Sequence, residues 1–129
     1  MPNALHLGLS LLDCRLAVCR LGSRDEIPSW AGAGAFSSVT RTGTELSIVC
    51  REDAVPDGIP REGGWRIFQV EGPLDFALTG VLASIAQPLA EAGVSLFAVS
   101  TFDTDYVMVR ERDVEQAANA LRAVGHRVD

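Results

Sequence analysis

Apolar and polar positions along the chain follow two different rhythms. In the first half the apolar stretches are short and strand-like, at residues 5–12, 15–21, 36–42 and 45–50. Asp13 parts the first two, and the last two meet around Gly43 as in a short hairpin. Residues 23–34 lie between the pairs and contain Pro28, Gly32 and Gly34, which leaves room for one short helical turn at most; residues 52–55 add another. Pro56, Gly58, Pro60, Gly63 and Gly64 then crowd together. That composition predicts a linker over 59–64, dividing a domain at 1–58 from a second at 65–129.

In the second half the period lengthens. Residues 65–70 alternate as a strand, and Gly72 and Pro73 turn the backbone. Leu74, Leu78, Val81, Leu82, Ile85 and Leu89 then fall on one helical stripe. Gly72 is expected to cap this helix, Pro73 to take its first position and Asp75 to favour its positive end. Pro88 removes one intrahelical bond and is expected to kink the helix or end it early. Residues 94–100 and 106–110 form a second pair of strands. Asp113 is expected to cap another helix, with Val114, Ala117, Ala118, Leu121 and Val124 on its apolar face, Gly125 as its stop and residues 126–128 as a last strand.

The resulting order, β-α-β-β-α-β, is the ferredoxin-like plan of two helices on one face of a four-stranded antiparallel sheet. The first half has the element order of a degenerate copy with a shortened first helix, so the fold class is α+β with two such units. A length of 129 residues suits one domain or two very small ones and can bury a core without disulfides or metal.

Composition mainly removes functions. The net charge is −6, the wrong sign for a phosphate backbone, so nucleic acid is not an expected partner. Residues 106–110 also lack the alternating basic and aromatic pattern of RNA-recognition strands. All eleven basic residues are arginine. Without lysine there is neither a Schiff-base anchor for pyridoxal phosphate nor a P-loop, and no cofactor is expected. Cys14, Cys19 and Cys50 include no CxxC pair and read as reduced, packed thiols. His6 and His126, each in a predicted strand, have no second ligand at zinc-like spacing, so no metal is expected. The start of the chain has no basic segment before its apolar run, and no stretch is long enough to span a bilayer. Together these readings predict a cytoplasmic protein with no membrane partner.

Two turns carry the candidate chemistry. The junction at residues 70–76 offers a helix N-terminus suited to a small carboxylate, and the polar turn at 101–105 offers aspartates for an ammonium group, with Asp103 favoured over Asp105. A calcium loop would need closer oxygen ligands and a central glycine, both missing around Asp103 and Asp105. Arg110 follows the second turn and Arg41 lies in the first half, next to residues 38–40; both read either as carboxylate clamps or as partners in surface ion pairs. No nucleophile, base and orienting group assemble at any spacing, so catalysis is not expected.

Residues 36–42, 45–49, 70–76 and 100–106 resemble the small bacterial proteins with tandem ACT domains, relatives of the ACT modules of aspartate kinases and of the cytosolic arginine sensors. The likeness runs from about Arg15 to Val128. It implies a non-enzymatic, amino-acid-binding regulatory module whose ligand sits at an interface between ACT domains. The positions implied are Gly72, Pro73, Leu74 and Asp75, with Thr101, Phe102, Asp103 and Thr104, and from the first half Ser38, Val39 and Thr40. The resemblance also implies a homodimer or larger homo-oligomer that restores four ACT domains, with an unknown protein target. The alternative is an ACT-like dimer that serves only as a structural or interaction module. The acidic balance favours a cationic or neutral amino acid.

Overall fold

A computed structural model describes residues 5–129, and so leaves the first four residues of the predicted domain 1–58 outside the description. The chain forms two compact units, one from residues 13–65 and one from residues 5–12 together with 66–129.

The N-terminal unit is built from strands β2 (Leu16–Leu21), β3 (Ser38–Arg41) and β4 (Leu46–Arg51), in the order β3-β4-β2, with the first residues of β5 (Arg61–Val70) antiparallel to β2. Single 3-10 turns at Ser29–Gly32 and Glu52–Ala54 stand where the sequence allows short turns, and the unit has no α-helix among its described residues. Its core gathers Ala17, Cys19, Ala31, Leu46, Ile48, Cys50 and Val55, with Trp30 packed alongside.

The predicted linker 59–64 is a misreading of Gly63 and Gly64. Both lie inside β5, where the register against β2 slips between Leu16 and Val18. Glu52 Oε1 accepts the Gly64 N–H at 2.8 Å, and a Cβ at Gly63 would collide with the same carboxylate. The glycines therefore serve a bulge and a close side-chain approach, two uses that composition alone cannot separate from flexibility.

The C-terminal unit has the sheet order β6-β7-β5-β1-β8, using β1 (Gly8–Leu11), the end of β5, β6 (Leu96–Ser100), β7 (Asp105–Arg110) and β8 (Arg127–Val128). Helices α1 (Val81–Glu91) and α2 (Val114–Ala123) pack on it. Phe68 and Val70 from β5, Val107 and Val109 from β7, Ile85 and Leu89 from α1 and Leu121 from α2 form a buried core with Leu9 of β1. β1 was expected to begin the N-terminal domain. Instead it lies between β5, to which it is antiparallel, and β8, to which it is parallel, so this sheet has five strands rather than four.

Three details of the helices differ from expectation. The first helix starts at Val81, not at Pro73, and the Gly72–Pro73 peptide is cis. Asp75 decides this locally. Its Oδ1 accepts the Ala77 N–H at 2.8 Å and its carbonyl accepts the Leu78 N–H at 2.9 Å, a closed turn that competes with helical bonding. Gly80 then stands at the cap with φ +84°, a left-handed conformation suited to glycine. Second, Pro88 does not end α1; it is buried inside it. Third, Asp113 holds the cap position of α2 without a side-chain capping bond, because a 3-10 turn over Glu111–Asp113 leads into the helix.

Pro88 leaves the Ser84 carbonyl without its usual i+4 donor. His126, only 4% exposed, supplies one, with Nε2 at 3.0 Å from Ser84 O. The Leu7 N–H donates to His126 Nδ1 at 3.0 Å, so Nδ1 carries no proton and Nε2 is the protonated nitrogen. Neither His6 nor His126 lies in a strand. His126 precedes β8 and ties it to α1, and His6 Nδ1 lies 3.0 Å from Gly125 O.

Candidate functional site

The two turns singled out by the sequence come together in the C-terminal unit. The Leu74 N–H donates to Asp103 O at 2.7 Å. A Cβ added at Gly72 would lie 3.0 Å from both Asp103 O and Thr104 Cβ, so a larger residue would push the turns apart by a few tenths of an ångström. The second turn is closed by its threonines. The Thr101 N–H and hydroxyl both donate to Thr104 O, at 2.8 and 3.0 Å. The buried Thr104 hydroxyl donates to Val70 O at 2.6 Å, which fixes the turn to the end of β5.

Between the turns and the start of α1 lies a cleft of about 320 Å³. Leu74, Asp75, Thr101, Phe102, Asp103 and Thr104 line it, as do Phe76, Leu78, Gly80, Val81, Leu82, Ser100 and Asp105. Of the other predicted residues, Gly72 is the contact point between the turns, and Pro73 precedes the lining without joining it. Ser38, Val39 and Thr40 lie in β3 of the N-terminal unit and do not line this cleft.

The lining combines carboxylates and hydroxyls with a large apolar surface. Asp75 Oδ1 is engaged by the Ala77 N–H, and Asp105 Oδ1 by the Ser100 hydroxyl at 2.5 Å. Among the described residues the Asp103 carboxylate makes no hydrogen bond or ion pair, which leaves it available to a cation in the cleft. No arginine, histidine or cysteine is among the lining residues. Arg41 instead donates to the carbonyls of Ser23 and Asp25 in the N-terminal unit. Nor do the aspartates converge on a metal: among the described residues no group of three or more potential ligands does so. An arrangement of this kind has the charged and apolar groups to hold a small zwitterion.

Phe76 and the start of α1 were not among the predicted site residues, although the sequence held a signal for them. Phe76 and Phe102 are two phenylalanines in otherwise polar turns, and their rings meet edge to face with centroids 4.9 Å apart. The contribution of Gly80, Val81 and Leu82 was hidden because the helix was expected to begin eight residues earlier, at Pro73.

The thiols belong to the other unit. Cys19 and Cys50 are buried within hydrogen-bonding reach of one another, and burial pushes the Cys19 thiol from the usual 9.0 to about 11, with the Cys50 charge adding to the rise. Burial also raises Cys50. Thiols held protonated in this way are poor nucleophiles.

Residues 61–123 match the ACT domain family, and residues 15–58 match a family of N-terminal domains. A protein of known crystal structure from Agobacterium tumefaciens is 40% identical, with a TM-score of 0.93 over 98% of this chain and 94% of that one. The cytosolic arginine sensor for mTORC1 subunit 1 of Bos taurus is 29% identical over 97 residues, which is 67% of this chain and 30% of the sensor. This chain thus spans less than a third of that curated relative. The regulatory subunit of aspartate kinase from Thermus thermophilus shares the fold, with a TM-score of 0.63 over 95% of this chain and 99% of that one at 14% identity.

Proposed function

The chain belongs to the ACT-domain family, and from that premise we propose that it is a regulatory module that binds a free amino acid and carries out no chemistry of its own. The observation that carries this reading is the unengaged Asp103 carboxylate in a cleft formed by two turns about thirty residues apart in sequence. The ligand's ammonium group pairs with Asp103, and its carboxylate faces the positive end of α1, where Gly80 and Val81 line the same cleft. The name of the bovine relative, an arginine sensor of the cytosol, supports both amino-acid sensing and a cytoplasmic location. No described helix is long and apolar enough to cross a membrane.

The two-domain division belongs to the same proposal. Residues 13–65 form the degenerate ACT-like unit, and residues 66–129, completed by β1, form the full one. Self-association into a homodimer or larger assembly sets two such modules side by side, with Gly72, Pro73 and the β3 residues Ser38, Val39 and Thr40 as further candidates for the ligand interface. Ligand then stabilises the assembled state by its differential affinity for it.

A second reading has its own support. Phe76, Leu78, Leu82 and Phe102 are exposed around the cleft, as in a protein-binding surface that takes no small molecule. One experiment decides between them: a thermal-shift screen of the full chain against the twenty amino acids, repeated with Asp103→Ala. The receptor reading expects a rise in Tm for one or a few amino acids, lost in the variant. A flat screen leaves the interaction module.

A further inference from the structure

The large apolar side chains around the cleft are unusually wet. Phe76 is 75% exposed, Phe102 78%, Leu78 42% and Leu82 38%. Single exposed apolar residues need no explanation, but four on one concavity mark a surface that something covers. The charges around them are unevenly engaged. Asp75 closes its own turn and Asp105 takes the Ser100 hydroxyl, which leaves Asp103 as the one carboxylate not already committed.

On the receptor reading above, we infer that the cleft selects amino acids with an uncharged hydrocarbon side chain, aliphatic or aromatic, over the cationic ones. One uncommitted carboxylate matches one ammonium group, the ligand's own α-ammonium. The hydrocarbon chain then lies against Phe76, Phe102, Leu78 and Leu82, which the ligand dries. A lysine or arginine side chain lays a second positive charge against these apolar walls, where the remaining carboxylates, Asp75 and Asp105, each already hold a hydrogen bond through Oδ1, and desolvating a charge on the hydrocarbon surface is unfavourable. The side chain that fits is therefore set by residues of the loop after β5, the turn between β6 and β7 and the first turn of α1, rather than by the net charge of the protein.

Norleucine and lysine form the sharpest test, since they differ only in lysine's terminal ammonium. Isothermal titration of the full chain with L-norleucine, L-leucine, L-phenylalanine, L-lysine and L-arginine is expected to give norleucine at least about ten-fold tighter binding than lysine, the size of a discrimination made by hydrocarbon contacts. Phe102→Ala, at an exposed position where folding is not at stake, is expected to weaken norleucine by about ten-fold with little effect on lysine. Leu82→Glu places a carboxylate on the wall in the first turn of α1, where an acid is tolerated, and is expected to move the preference toward lysine by at least about ten-fold. Lysine or arginine binding the wild-type protein as tightly as norleucine overturns the inference and leaves the receptor reading standing. So does a norleucine preference unchanged in Leu82→Glu. Absence of binding by all five ligands at about 10 mM, weaker than any of the affinities considered, overturns the inference, and the receptor reading then stands or falls on the screen of all twenty amino acids.

Discussion

The bond between His126 and Ser84 predicts a specific non-additivity. Because Pro88 has no N–H, the Ser84 carbonyl depends on the His126 imidazole, which is itself buried and held at its other nitrogen by the Leu7 N–H. His126→Phe keeps an aromatic ring of similar size and removes both bonds. It leaves one carbonyl and one amide unpaired in a partly buried position, at about 1–3 kcal/mol each, so a loss of about 2–6 kcal/mol is expected. Pro88→Ala restores an N–H at the i+4 position. Alone it costs about 1–2 kcal/mol, because Pro88 is buried and its rigid ring also restricts the unfolded chain. In the His126→Phe background the same substitution also repairs an orphaned carbonyl, so its cost falls by about 1 kcal/mol or reverses in sign.

The assay is urea unfolding of the wild type, the two single variants and the double variant at neutral pH. Helical circular dichroism and tryptophan fluorescence are followed together, so that a transition confined to one unit is recognised. A coupling energy of about 1 kcal/mol is the expected result. If the two single effects add to within about 0.3–0.5 kcal/mol, the carbonyl left by Pro88 is not what His126 satisfies, and the account of the helix running through Pro88 is wrong.

Three further outcomes follow from the same geometry. Thr104→Val removes the hydroxyl on Val70 O at nearly constant shape and is expected to cost about 1–2 kcal/mol, read as a lower urea midpoint, together with weaker amino-acid binding because the turn carrying Asp103 loosens. The folded-state rise of Cys19 to about 11 means that the unfolded chain gives up this proton first as pH rises. The thiol's contribution is therefore complete below pH 9 and is lost between about 9 and 11, so stability falls over that window, and falls less in Cys19→Val; an identical fall in both proteins refutes the assignment. At pH 8, iodoacetamide is expected to label the half-buried Cys14 before Cys19 and Cys50, which react only as fast as the N-terminal unit opens.

Which parts of this structure the sequence could reveal depended on how far each decisive interaction reached along the chain. Short apolar runs marked β2, β4 and β7, alternation marked the end of β5, and the 3.6-residue period marked α2, because those patterns record burial at the positions themselves. The two turns of the cleft were legible for a related reason: their residue types satisfy bonds within four residues, as Thr101 does with Thr104. The errors arose where two local preferences competed or where a distant partner decided. Leu74 and Leu78 keep helical spacing with Val81, yet the carboxylate and carbonyl of Asp75 close a turn between them, so the spacing survived while the helix did not. Gly63 and Gly64 have the composition of a linker, and only distant residues, the paired strand β2 and the carboxylate of Glu52, reveal them as part of a strand. β1 has nothing in its own residues to tell which sheet it joins, since its partners lie near residues 70 and 128. The same distinction applies to the site. Asp103 could be singled out from its own turn, but its value as a ligand group comes from the neighbours' being otherwise engaged, Asp75 by Ala77 and Asp105 by Ser100. That selectivity among three similar carboxylates belongs to the fold, and a variant that frees Asp105, such as Ser100→Ala, is accordingly expected to raise the relative affinity for lysine without touching Asp103.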